Sequence, residues 1–118
     1  MKPNVTGVKR VINATGYSIQ GLCAAWKYEA AFRQEIVLLI IMTSITFFLP
    51  VSKIEQVLMI GSLFIVVIVE LLNSAVEAVV DRISSDYHLL SGRAKDIGSA
   101  AVFASLVLAA LTWITILW

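Results

Sequence analysis

A chain of 118 residues with 59% hydrophobic and only 14% charged side chains carries more apolar surface than a small soluble domain can hide, since soluble domains average about 25% charged residues. This points to lipid as solvent and, with no linker-like stretch, to a single domain over 1–118. A net charge of +1 excludes the basic field that nucleic-acid binding needs, and the lone Cys23 excludes an internal disulfide or a multi-thiolate metal site.

The first segment, about 5–34, carries Val8, Ile12, Ile19, Leu22, Trp26 and Phe32 at helical spacing, interleaved with Lys9, Arg10, Gln20, Lys27, Glu29 and Arg33. It predicts an amphipathic surface helix, in one or two pieces with Gly16 and Gly21 as bends. Tyr17, Trp26 and Tyr28 suit the headgroup depth. The segment lacks the apolar core and cleavage site of a signal peptide, so it is expected to belong to the working protein. Glu29 and Arg33, four residues apart, read locally as an exposed ion pair.

Three apolar segments follow. The first, about 35–52, is near the lower length limit for a spanning helix and closes at Pro50. The second, about 55–84, starts beyond a polar turn with Lys53 and Glu55 and continues through Glu70, Glu77 and Asp81. The polar stretch Ser84 to Asp96 reads as a basic loop, and its Ser91-Gly92-Arg93-Ala94-Lys95-Asp96 portion could offer backbone N–H groups and a lysine to phosphate. The third segment, about 97–118, is uncharged throughout. The expected fold is an all-α membrane protein of three transmembrane helices plus the N-terminal surface helix. Lys and Arg cluster before the first span and in the 82–96 segment, which places the N-terminus in the cytoplasm and the C-terminus outside.

Chemistry concentrates on the second span. Glu70, Asn73, Ser74, Glu77 and Asp81 lie at offsets of 0, 3, 4, 7 and 11 and share one helix face. A carboxylate near hydrocarbon is costly unless solvated, protonated or paired, so intramembrane glutamates mark function by default. Asn73 and Ser74 could equally serve helix packing. Glu70 and Glu77 stand roughly 10 Å apart along the axis, too far to share one ion but suited to separate tasks. His88 reads as a solvated histidine at the loop. No P-loop or G-x-G-x-x-G turn occurs, and no His/Cys cluster supports zinc. Ala101, Ser105 and Ala109 form a small-residue row suited to close approach of a neighbouring subunit's helix.

The segments Glu29 to Glu35, Val69 to Arg82, Tyr87-His88 and Ser91 to Ala100, with Gly16-Tyr17-Ser18 and Trp113, resemble the prokaryotic diacylglycerol kinase family. The E-x-x-N-S-x-x-E-x-x-x-D run beside S-G-x-A-K-D is the specific part. The resemblance implies a homotrimeric bundle in the bacterial cytoplasmic (inner) membrane that moves the γ-phosphoryl of ATP to the free hydroxyl of diacylglycerol. It implies Glu70 as proton acceptor and Glu29 and Glu77 as ligands for Mg²⁺ on ATP. Around the nucleotide it implies Arg10, Tyr17, Asp86, Tyr87, His88, Lys95 and Asp96, with Asn73 in support. Near the lipid it implies Arg10, Ala31, Phe32, Arg33, Gln34, Glu35, Ser99 and Trp113, beside Glu70. Ile19, Ser84, Asp86 and Leu89 depart from the family pattern and bear on nucleotide affinity. The alternatives are a polyprenol (undecaprenol) kinase and, outside enzymes, a proton or cation conduit or a purely structural membrane subunit; Ile and Val above Glu70 argue against the conduit.

Overall fold

The structure is a computed structural model and describes residues 6–83 and 88–118. Those residues form four helices and no strand: α1 (Gly7–Tyr28), α2 (Ala30–Thr46), α3 (Lys53–Ile83) and α4 (Leu89–Leu117). Two of them, α3 and α4, are long and apolar enough to cross a membrane. The 17 residues of α2 reach roughly 25 Å at 1.5 Å per residue, slightly less than a hydrocarbon core of about 30 Å.

Gly16 and Gly21 do not bend α1, which runs unbroken through both. The break falls later, at Glu29, whose extended backbone (φ −116°, ψ 103°) ends α1 and opens α2. The Glu29 N–H still reaches Ala25 O at 2.9 Å, so the corner is tight. Its second fastening corrects the local reading of Glu29 and Arg33 as an ion pair. The Arg33 guanidinium instead donates to Trp26 O at 2.6 Å and Lys27 O at 3.3 Å, where a cation complements the unpaired carbonyls of a helix C-terminus.

Pro50 cannot continue a helix and disfavours helical backbone in the residue before it. Accordingly α2 closes with tightened bonds from Phe47, Phe48 and Leu49 N–H to carbonyls three residues back. The next helix starts on a reciprocal cap: Ser52 N–H donates to Glu55 Oε1 at 2.8 Å, and Glu55 N–H to Ser52 Oγ at 3.1 Å. Both carbonyl and amide orphans of the corner are thereby met within a few residues. Gln56 ties α3 to α2 through Thr46 Oγ1 at 3.0 Å.

The buried residues of α3 are Met59, Ser62, Leu63, Val66, Val67 and Glu70, spaced as one helical stripe. Met59, Leu63 and Val66 pack with Ala109 and Trp113 of α4, while Val67 packs with Ala25 and Phe32. Trp113 Nε1 donates to Met59 O at 3.0 Å. Ser105 and Ala109 are buried, so this part of the small-residue row serves contact within the chain, not the subunit contact expected of it; Ala101 is exposed and lines a groove against α3.

By contrast, α1 buries Ala25 alone. Val8, Ile12, Ile19, Leu22 and Trp26 are all exposed, leaving its apolar face without a partner among the described residues.

Candidate active site

The stripe that packs the core turns polar at Glu70 and keeps its direction. Glu70 is 6% exposed, Asn73, Ser74 and Glu77 are half-buried, and Asp81 is exposed, a gradient from the bundle interior toward water. Asn73 sits three residues after Glu70 and four before Glu77, so one amide can reach both. Its Nδ2 donates to Glu77 Oε1 at 2.9 Å and to Glu70 Oε2 at 3.5 Å. The first is a firm bond and the second a long one, so the amide favours Glu77 and only steadies Glu70.

Two further carboxylates approach from other elements. Glu29, at the α1–α2 corner, acts on Glu70 electrostatically together with Glu77, and Glu70 in turn acts on Glu35 of α2. One Glu35 oxygen, Oε2, is buried without a hydrogen-bond partner, as is Asn73 Oδ1. Three acidic groups from α2, α3 and the corner thus gather around Glu70, and like charges so arranged call for cations or protons. Beside them, a groove of about 490 Å³ between α1 and α3 is lined by Gly21, Ala24, Tyr28, Glu29, Ser74 and Ala78, among others.

Lys95 supplies the facing positive charge. Its Nζ lies 2.7 Å from Asp81 Oδ1, the one ion pair among the described residues. The hydrogen bond to Asp81 holds the Lys95 ammonium beside the polar stripe. The segment that bears it is not the loop expected from the sequence. Helix α4 begins at Leu89, with His88 as its N-cap: the His88 Nδ1 accepts from Leu90 N–H at 3.1 Å. Gly92 N–H bonds His88 O at 2.9 Å, so Ser91 to Asp96 is helical and most of its amides are committed to the helix. What it offers a phosphate is side-chain charge.

The other expected residues divide. Arg10 and Tyr17 are exposed on α1; helical spacing puts them on the face that carries Gly21, Ala24 and Tyr28, but roughly 28 and 18 Å along the axis from Glu29. Asp96 and Ser99 are exposed on α4, and Ala31 and Gln34 on α2. Phe32 is core, 3% exposed. Trp113 is core too, at the Met59 end of α3, eleven residues and roughly 16 Å from Glu70. Asp86 and Tyr87, with Ser84, Ser85 and residues 1–5, lie outside the described residues.

Among the described residues no three His, Cys, Asp or Glu side chains are spaced to enclose a metal ion. Mg²⁺ commonly takes one or two carboxylates and completes its shell with phosphates and water. Glu29 borders the groove and Glu77 keeps one carboxylate oxygen free of Asn73, so this pair fits that donor set.

Sequence reasoning missed three features. Glu35 joins the cluster because α2 begins at Ala30, five residues ahead of the expected boundary. Asp81 is the partner of Lys95, which its place on the stripe could have suggested. The Ser52-x-x-Glu55 cap was readable as a capping box.

Taken together, fold and site define a small all-helical protein with two membrane-length helices and an acidic cluster at the polar end of their shared core. Residues 16–117 match the prokaryotic diacylglycerol kinase family. The chain is 56% identical to a diacylglycerol kinase of Escherichia coli K12 over 118 residues, covering 100% of this chain and 97% of that protein. It is 53% identical over 112 residues to a diacylglycerol kinase of Pseudomonas aeruginosa, covering 95% and 91% of the two chains, and 55% identical over 108 residues to one of Haemophilus influenzae, covering 92% of each. The chain therefore belongs to the prokaryotic diacylglycerol kinase family, and so is an enzyme of the lipid kinase class.

Proposed function

We propose that this chain phosphorylates 1,2-diacylglycerol to phosphatidic acid with Mg-ATP at the cytoplasmic face of the bacterial inner membrane, with Glu70 as general base. The observation that carries the reading is the polar continuation of a core stripe. A base set at the boundary between apolar core and water can meet an alcohol whose acyl chains stay in the bilayer and a triphosphate that never enters it.

The step needs little covalent help from the protein. Phosphoryl transfer has a loose transition state and asks for position, charge neutralisation and a nearby base. The lipid hydroxyl oxygen forms a bond to Pγ as the bond from Pγ to the β–γ bridging oxygen breaks; the hydroxyl proton goes to Glu70 and ADP leaves. Glu29 and Glu77 would hold the divalent ion, with Asn73 steadying Glu77 through its hydrogen bond to Oε1. Bound Mg²⁺ would neutralise phosphate charge and polarise the γ-phosphoryl. Lys95 exchanges Asp81 for phosphate oxygens. Arg10, Tyr17, His88 and Asp96, with Asp86 and Tyr87, complete the nucleotide side, and Ala31, Phe32, Arg33, Gln34, Glu35, Ser99 and Trp113 the lipid side.

The assembly that suits this chemistry is a homotrimer with α2, α3 and α4 as three spans and α1 lying on the cytoplasmic surface, the whole of 1–118 forming one domain. The exposed apolar face of α1 supports a headgroup-level position, where such a face is buried in lipid. Arg10 and Tyr17 lie too far along α1 to reach their own Glu29, which favours contribution of these residues to a neighbouring subunit's cleft.

The test supplies purified protein in mixed micelles with γ-labelled ATP, Mg²⁺ and either diacylglycerol or undecaprenol. Label on diacylglycerol, at a turnover well above that on the polyprenol, is expected. Label on the polyprenol alone would transfer the assignment to that alcohol, and cation flux in vesicles with no labelled lipid would replace it with a conduit.

A further inference from the structure

The geometry points to Gly98 as a positioning residue for the phosphoryl-transfer site, acting through the Asn73 side chain. The inference rests on the reading of Glu70, Asn73 and Glu77 given above and adds to it the reason the amide holds its place.

Asn73 has one way to serve both carboxylates, which is to turn Nδ2 toward them. Carboxylates only accept hydrogen bonds when ionised, so the network fixes which end of the amide is nitrogen. The oxygen must then point the other way, and there it meets α4. Its resting place is beside the Gly98 backbone: a Cβ built on Gly98 would overlap Asn73 Oδ1 and stand 3.2 Å from Asn73 Cγ. No donor meets the oxygen there. A buried acceptor left unpaired is costly, and a side chain free to choose would turn it toward a donor. The amide is held in this state by two carboxylates on one side and by the absence of a side chain on the other.

Glycine is required here for space. Gly98 lies within α4, on the face that carries Ala94, Ala101 and Ser105, and no positive φ is recorded for it. At Gly16, Gly21 and Gly61 an added Cβ meets nothing within 4 Å, so Gly98 differs from its counterparts in this respect. Helix propensity favours alanine over glycine at every one of these positions. A methyl group at Gly98 must push the Asn73 amide off its axis or turn it over. Either result presents oxygen to Glu77 or lengthens the bonds to both carboxylates, so the ion-holding group and the base are displaced together.

The test is a double-mutant cycle on the full chain in mixed micelles, with Gly98→Ala, Asn73→Ala and the double variant, and Gly61→Ala as the control for glycine replacement in an apolar helix. Gly98→Ala is expected to lower kcat about 100-fold, the scale on which a misplacement of an ångström or so acts. It should also raise KM for Mg-ATP several-fold, whereas a variant that merely folds less well keeps its KM. In the Asn73→Ala background, where no amide remains to be displaced, the same change at Gly98 should cost less than about twofold, since its partner is gone. Gly61→Ala should match the unaltered chain.

Equal losses from Gly98→Ala in both backgrounds would overturn the inference and leave the site reading standing. So would a Gly98→Ala variant of ordinary kcat and KM. An Asn73→Ala variant of ordinary activity would remove the site reading and the inference with it. Should Gly98→Ala fail to fold, the double variant is expected to regain helicity by circular dichroism because the overlap is relieved; failure to regain it would place the damage elsewhere and overturn the inference.

Discussion

Replacing Glu70 by glutamine separates catalysis from stability at one atom. Glutamine has the volume of glutamate, so the packing of a side chain only 6% exposed is preserved, and Asn73 can still donate to its carbonyl oxygen. Two things change. The group can no longer take a proton from a hydroxyl, and general-base assistance is worth about 10² to 10⁴ in rate. The repulsion that Glu70 shares with Glu29, Glu35 and Glu77 also disappears. The expected variant turns over 10² to 10⁴ times more slowly, binds Mg-ATP as before, and unfolds no earlier than the parent. Turnover is read by transfer of labelled γ-phosphate to diacylglycerol, and stability by loss of helicity on titrating sodium dodecyl sulfate into mixed micelles. A variant with more than about a tenth of parental kcat would refute the base assignment. One that unfolds well before the parent would refute the view that the carboxylate is retained for chemistry at a cost to the fold.

Three further outcomes follow from the same geometry. Glu77→Gln should chiefly raise KM for Mg-ATP, with the fold intact, because the bond from Asn73 survives while the ion loses a charged ligand; unchanged nucleotide kinetics would remove Glu77 from the metal. Trp113→Phe should cost about 1 kcal/mol of stability through the lost bond to Met59 O, and Trp113→Ala about 3–5 kcal/mol, the latter with a raised KM for diacylglycerol; a lipid KM unchanged in both would remove Trp113 from the lipid side and leave it a core residue. Arg33→Met should cost about 0.5–1 kcal/mol at the α1 C-terminus and lower kcat by loosening the Glu29 corner, whereas Arg33→Lys should retain part of both; a steep rise in lipid KM alone would mark a direct lipid contact.

Much of this fold is legible in residue spacing. The core stripe of α3 and its polar continuation obey one helical period, so Glu70, Asn73, Glu77 and Asp81 could be put on a single face before any coordinates. The limits of the helices were harder, and the reasons are local. Glycine lowers helix propensity without forbidding a helix, so Gly16 and Gly21 are bends only where something else breaks the ladder. The actual break at Glu29 is held by a long-reach bond from Arg33 to carbonyls six and seven residues back, which pattern reading cannot see. Likewise the Ser91 to Asp96 segment is polar enough for a loop, yet His88 caps it into α4. The small-residue row on α4 was visible, but spacing alone cannot say whether α3 of the same chain or a second chain fills it.

The sealed upper part of the bundle weighs against the acidic cluster as a passage for ions. Outward from Glu70, the shared face carries Val66, Leu63 and Met59, closed over by Ala109 and Trp113. The one hydroxyl along it, Ser62, spends its donor on Met59 O at 2.7 Å. A moving proton or cation would meet a single α3 hydroxyl and no carboxylate between Met59 and Glu70, and each unpaired polar step in such surroundings costs several kcal/mol. The acidic cluster is therefore separated from Lys53 and Glu55 at the far end of α3 and opens toward the end where Glu29, Glu35 and Lys95 also arrive. A boundary of that kind does little for transport across a membrane, whereas it suits the proposed base, which has to meet the hydroxyl of a membrane lipid.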